Sequence, residues 1–254
     1  MFKFEYRLKK FQKIFDLRLI IFLLRTKSKI KLLTGIIKNF DLSLKSVHFD
    51  LKNAFEKFIE SKSIDEQWKK NTNRFLIWIS IFERNYSRNK KIKILEIGSC
   101  QGHSALFFLW YFKKAYIDCV DIWDVKRNEI IFDNSLNQFS ERLNKHKLWS
   151  IDFFSNKIKK RGIYDIVFID GSHHSEEVLS DCLHCFQLLK VNGLMIIDDV
   201  FFMCNDRYSD NSLKAIDLFL DLKKQDLKIL KLNSQLFIEK KADLRMDSSK
   251  KLNY

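Results

Sequence analysis

Proline is absent from this chain. With Lys, Asn, Ile and Phe abundant, that absence reads as a composition bias and carries no functional weight. Long apolar runs are missing as well: Leu19 to Leu24 is bounded by Arg18 and Arg25, far short of the roughly 20 residues that span a bilayer. A transmembrane helix is therefore not expected, and with no small-residue cleavage site after the run neither is secretion. Cysteines are few and odd in number, five, which argues against a disulfide framework and for a reducing compartment, the cytoplasm. Cys182 and Cys185 enclose His184 in a C-x-x-C, but no second ligand pair lies at zinc-finger spacing and the segment reads as helix, so these thiols are read as structural.

Negative charge is the other shortage. Lys and Arg number 46 against 32 Asp and Glu, a net charge of +14, which suggests an anionic partner. The excess is uneven: Lys3, Arg7, Lys9, Lys10, Lys13, Arg18, Arg25, Lys27, Lys29, Lys31 and Lys38 are opposed only by Glu5 and Asp16 in the first forty residues. Interleaved with Phe, Leu and Ile, they fit either a basic amphipathic helix at a membrane surface or a solvated helix packing one edge on a domain. What the chain has in plenty is core-forming material, with 46% hydrophobic residues, 24 of all residues being Phe. The length suits one α/β domain with an extension.

Residues 1–62 read as a basic helical extension, 63–241 as the main domain and 242–254 as a polar tail. Leu51, Ala54, Phe55, Phe58 and Ile59 recur at helical spacing, and Ser63 with Glu66 form a capping box for a second helix carrying Trp68, Phe75, Ile79 and Phe82. From Ile92 onward, strands and helices alternate. Strands are expected at 92–97, 115–121, 148–151, 164–170 and 194–199, helices at 104–113, 133–145, near 157, at 176–190 and 212–224, and a final hairpin at 228–240. That order predicts a Rossmann-like, doubly wound, mostly parallel seven-stranded sheet with an antiparallel C-terminal hairpin.

Three clusters carry chemistry. After the first strand comes Glu96-Ile97-Gly98-Ser99-Cys100-Gln101-Gly102-His103-Ser104, in which Gly98 permits a sharp turn, Gly102 a close approach, and the helix start offers N–H groups to an anion. Asp121 ends the next strand, where dinucleotide-binding folds place an acid for ribose hydroxyls. Two apolar strands then deliver Asp170 and the pair Asp198-Asp199 to the same rim. Converging carboxylates repel unless a cation intervenes, Mg²⁺ being the natural candidate, or else they cap loops and meet Lys or Arg. His173 and His174 follow Asp170, and an imidazole can act as a base near neutral pH.

These motifs, in this order, resemble those of class I S-adenosylmethionine-dependent methyltransferases, especially the catechol O-methyltransferase-like branch. The stretch Tyr164 to His173, then Leu188 to Gly193 and Asp198-Asp199-Val200, resembles the bacterial class 24 methyltransferase family, over roughly residues 70–240. The resemblance implies that Gly98, Ser99, Gly102 and Ser104 bind the methionine part of S-adenosylmethionine, with Glu96 supporting the loop. Asp121 would hold the ribose and Asp152, at the end of the third strand, the adenine amino group. Asp170, Asp198 and Asp199 match the family's metal positions, His173 stands where catechol methyltransferases carry a lysine base, and Asn192 replaces a common turn glycine that Asn can mimic. The implied activity is metal-assisted O-methylation of a hydroxyl on a small molecule or sugar, with the segment from Phe201 to Asp210, including Arg207 and Tyr208, shaping the acceptor pocket. A nicotinamide-dependent oxidoreductase is disfavoured by the lack of G-x-G and by the acid triad. A non-catalytic nucleic-acid or membrane-binding module is disfavoured by the same triad. Peripheral contact with the inner membrane face, a nitrogen acceptor and a homo-oligomer stay open.

Overall fold

The computed structural model describes residues 44–157, 160–202 and 210–243. The basic stretch before residue 44, the polar tail after 243, and Arg207 and Tyr208 lie outside them. Among the described residues, three helices precede the sheet: α1 (Ser46–Glu60), α2 (Glu66–Lys69) and α3 (Asn73–Asn85). There follow β1 (Lys93–Ile97), α4 (His103–Tyr111), β2 (Tyr116–Asp121), α5 (Lys126–Leu136), a 3-10 turn (Asn137–Arg142), β3 (Leu143–Lys147) and α6 (Ser150–Ser155). Then come β4 (Tyr164–Ile169), α7 (Ser175–Leu188), β5 (Leu189–Ile197), α8 (Ser212–Leu222), β6 (Leu227–Leu232) and β7 (Leu236–Lys240). No described helix is long and apolar enough to cross a membrane.

The seven strands form one sheet in the order β3-β2-β1-β4-β5-β7-β6. All pairings are parallel except β5 with β7 and β7 with β6, as the alternating pattern and terminal hairpin predict. Strand order reverses between β1 and β4, so their carboxyl ends open a crevice at the switch point. Period-two alternation assigns the sheet faces. Ile94, Ile166, Phe168, Leu194, Ile196 and Phe237 face a core with α1, α3 and α4, while Leu95, Ile97, Val167, Ile169, Met195 and Ile197 face one with α7 and α8. Helix α4 is buried along almost its whole length, because α1 and α3 cover the side turned away from the sheet. Phe75 stacks on Phe107 at 4.0 Å, and Phe55 meets Phe107 edge-on at 5.0 Å. Helix α1, assigned from sequence to the extension, thus shares the main core.

Four local expectations are corrected. Ser63 and Glu66 do not form a capping box: Asp65 precedes α2 without a side-chain cap, and the helix breaks before α3, where the buried Thr72 hydroxyl donates to Glu56. The helix expected at 133–145 is α5, starting at Lys126, followed by the 3-10 turn. The third strand is Leu143–Lys147 rather than 148–151, and 150–155 is helical. Strand β5 begins at Leu189 and runs through Asn192, which takes a left-handed φ of 62°. On α7, the Cys182 and Cys185 thiols are free and buried, with burial pushing both up in pKa. The far end of α7 is closed by Lys240, only 1% exposed, whose ammonium donates to the Phe186 and Leu189 carbonyls at 2.9 Å each.

Candidate active site

The glycine loop leaves β1 at Gly98, with φ +83°. A Cβ there would lie 2.1 Å from the Asp170 carbonyl oxygen, so only glycine lets the β1 and β4 exits pass each other. Gly102, also at φ +83°, starts α4 without a side-chain cap, and the orphan N–H groups of the first turn face the crevice end of the helix. Glu96 lies wholly buried beneath the loop: it accepts the Ser99 hydroxyl at 2.7 Å and the Ser104 hydroxyl at its other oxygen. Burial raises the Glu96 carboxyl, and the two serine bonds pull it back. Both serine hydroxyls are therefore spent inward, and the Ser99 carbonyl accepts the Gly102 N–H at 2.7 Å to close the loop.

Asp121, at the end of β2, ties two loops together. It accepts the Cys100 N–H at 2.8 Å and the Trp123 N–H at 2.6 Å, while the Trp123 indole donates to the Cys100 carbonyl at 2.8 Å. Each carboxylate oxygen keeps a second lone pair for a ligand hydroxyl. Gln101, next in the loop, is latched to the N-terminal helices: its amide donates to Asp65 at 2.8 Å, and the Asp65 N–H returns a bond of 3.0 Å. Arg127 also grips Asp65, and these bonds hold the Asp65 carboxyl down at about 2. Asp152 is not at a strand end; it is exposed in the first turn of α6, just after Leu148, whose N–H donates to the Asp121 carbonyl at 3.1 Å.

On the other side of the switch point, β4 and β5 bring Asp170, Asp198 and Asp199 together. Asp199 takes a left-handed φ of 48°. Desolvation raises the Asp170 carboxyl, Asp198 and Asp199 push the same way, and Arg74 opposes them. Arg74, on α3, was missed by sequence reasoning. Its guanidinium donates to Asp198 Oδ2 at 3.0 Å, both side chains being mostly buried, and Asp198 Oδ1 accepts the Asp199 N–H at 2.8 Å. A second guanidinium nitrogen meets His103 Nδ1 at 3.3 Å. Arginine can only donate, so Nδ1 accepts and the imidazole proton sits on Nε2, which is buried without a partner. Burial, then the Arg74 charge, drives the His103 pKa well down. Among the described residues, no group of three His, Cys, Asp or Glu side chains is placed to hold a metal ion. Three carboxylates are the right chemistry for a hard divalent ion, but one of them, Asp198, is already bonded by a guanidinium.

His173 borders the acid half. Its ring packs on Phe202 at 4.7 Å between centroids, and its carbonyl accepts the Ser212 hydroxyl at 3.3 Å. His174 pairs with Asn211 in an isolated β-bridge. The histidine turn is thereby fastened to the start of α8.

A doubly wound sheet with this strand order, an uncapped glycine-loop helix and an acid on the neighbouring strand end together make the ligand-binding edge of a Rossmann-like fold. Residues 95–200 match the model of a family described as a methyltransferase domain, the class 24 methyltransferases. Among solved structures, the chain is similar to MycE methyltransferase from the mycinamycin biosynthetic pathway, solved with Mg and SAH: 21% identity, TM-score 0.53, covering 76% of this chain and 55% of that one. It is also similar to an O-methyltransferase from Bacillus cereus solved with SAH, at 14% identity and TM-score 0.52, covering 82% and 97%. The chain thus spans about half the length of MycE. No curated protein sequence matches it.

Proposed function

We propose that the chain transfers a methyl group from S-adenosylmethionine to a hydroxyl of a small molecule or sugar. The observation that carries this reading is Asp121, held by two backbone N–H groups directly across from the glycine loop. A carboxylate fixed in that way can accept two vicinal hydroxyls of a ribose, and the uncapped start of α4 suits the carboxylate of an amino-acid moiety. MycE and the Bacillus cereus relative, each solved with SAH, support the same cofactor. When bound, S-adenosylmethionine supplies an activated methyl group, which leaves the chain mainly to position and deprotonate the acceptor.

The chain's own residues divide that work. Gly98 and Gly102 keep the loop close to the β4 exit, and Glu96 braces it from below through Ser99 and Ser104. In this proposal His173 takes the acceptor's proton as the oxygen becomes nucleophilic; Ser212 donates to its carbonyl and Phe202 packs on its ring. Asp170, three residues before His173, is its partner at the acceptor side of the crevice in this proposal, with its carboxyl raised by burial and by Asp198 and Asp199. Mg²⁺, present in the MycE structure, is the second cofactor of this proposal, and Asp170, Asp198 and Asp199 are the carboxylates that would hold it. The cytoplasm, with contact to an anionic membrane surface through the basic N-terminal stretch, is the proposed location.

Isothermal titration of the chain with S-adenosylmethionine, beside Asp121→Ala and with NAD as a parallel ligand, tests the proposal. Micromolar binding weakened by about tenfold or more in the variant, the loss expected for one or two charge-assisted hydrogen bonds, supports it. Absence of binding, or binding of NAD instead, removes it.

A further inference from the structure

The acid half of the rim already has a cation. Arg74 enters it from α3, 124 residues away in sequence from its partner Asp198. The side chain is fixed from several directions: its guanidinium lies 5.3 Å from the Phe75 ring centre and 5.9 Å from that of Trp78, and it meets His103 at the start of α4. The pairing is nevertheless incomplete. Only one nitrogen bonds the carboxylate, and Nε is buried with no acceptor, so this is not the two-bond fork that makes arginine–carboxylate pairs tightest. A single-point pair of this kind is open to replacement by a ligand of higher charge.

We propose that Arg74 is the resident cation of the acidic rim and competes with a divalent metal ion for Asp198, so that the Arg74–Asp198 pair and metal binding are mutually exclusive. The identity of the ion rests on the methyltransferase reading, whereas the competition rests on the geometry alone. Two consequences follow. Metal affinity is set by an arginine of the N-terminal helices rather than by the carboxylates alone. Metal entry also requires the guanidinium to leave Asp198, which couples the rim to the placement of α3.

The test is titration of the full chain with Mn²⁺ in the absence of cofactor, by calorimetry and by the loss of free-ion electron paramagnetic resonance signal, for wild type, Arg74→Lys and Arg74→Met. Removing a nearby positive charge strengthens metal binding by Coulomb attraction even without competition, so the lysine variant decides. It keeps the charge but has neither the reach nor the fork of the guanidinium. Competition predicts that Arg74→Lys binds Mn²⁺ at least threefold more tightly than wild type, with Arg74→Met tenfold or more. Unchanged or weaker binding by Arg74→Lys overturns the proposal, whether or not Arg74→Met folds. A separate titration of wild type with S-adenosylmethionine keeps the two ideas apart: if the cofactor fails to bind while Arg74→Lys still gains Mn²⁺ affinity, the methyltransferase reading falls and the competition stands.

Discussion

At the β1–β2 half of the rim, the two carboxylates are satisfied by neighbours between Glu96 and Trp123: Glu96 by Ser99 and Ser104, Asp121 by the Cys100 and Trp123 amides, although Gln101 of the loop also reaches back to Asp65. At the β4–β5 half, Asp198 is held by an arginine from a helix that precedes the whole sheet. The carboxylates of the first half find their partners within one βαβ unit. A remotely satisfied site depends on packing between distant parts of the chain, and is correspondingly sensitive to changes at either end.

Asp198→Ala breaks this contrast most severely. It leaves the Arg74 guanidinium, whose side chain is 14% exposed, without its carboxylate, for an expected loss of about 3–5 kcal/mol in urea unfolding. The double variant Asp198→Ala with Arg74→Met recovers most of that loss, because no uncompensated charge remains; failure to recover any would show that the pair's worth is not electrostatic. Gly98→Ala attacks the seam between the halves. Its Cβ meets backbone 2.1 Å away at φ +83°, for an expected cost of about 3 kcal/mol. Gly162→Ala, at φ +57° with nothing nearer than 3.9 Å, costs about 1 kcal/mol. Equal costs at the two glycines would mean that conformation, not the close approach of β4, makes Gly98 necessary.

A pH-dependent effect concerns Asp181 on α7, whose Oδ2 lies 3.6 Å from where a Gly171 Cβ would stand. Burial raises its carboxyl from 3.8 to about 7, with a Ser150 hydrogen bond opposing. A raised folded-state value means that the folded chain binds the extra proton, so this contribution to stability is fully present below pH 3.8 and is lost as pH rises through about 7. Urea midpoints at pH 5.5 and 8.5 should fall further for wild type than for Asp181→Asn. Parallel behaviour of the two proteins would show that Asp181 ionises freely in the fold.

Sequence carried the locally satisfied half well. The strands β1, β2 and β4 are runs followed by or ending in glycine or aspartate, with Gly98 and Asp121 at two of those ends and Gly102 at the start of α4. Strand β3 was misplaced because its residues, Leu143 to Lys147, are mostly polar and lie at a sheet edge. Phe132, Leu136, Phe139 and Leu143 also keep helical spacing straight across the junction of α5, the 3-10 turn and the strand. The capping box at Ser63 failed because Asp65 bonds tertiary partners, Arg127 and Gln101, instead of its own helix. Arg74 left one faint trace, a lone cation just before the apolar run Phe75 to Ile79. Nothing local tells such an arginine from a solvated one, since its partner is reached only after the sheet has formed.

Lys240 bears on the order in which the chain can be completed during synthesis. Strand β7 lies between β5 and β6, and its last residue supplies the ammonium that closes the end of α7. Until residues 236–240 clear the ribosome, a nascent chain with all five parallel strands already made still presents the open edge of β5 and two unfilled carbonyls. A bare strand edge is a template for pairing with other chains, so a stop codon just ahead of Leu236 should yield an aggregating product rather than a shortened domain.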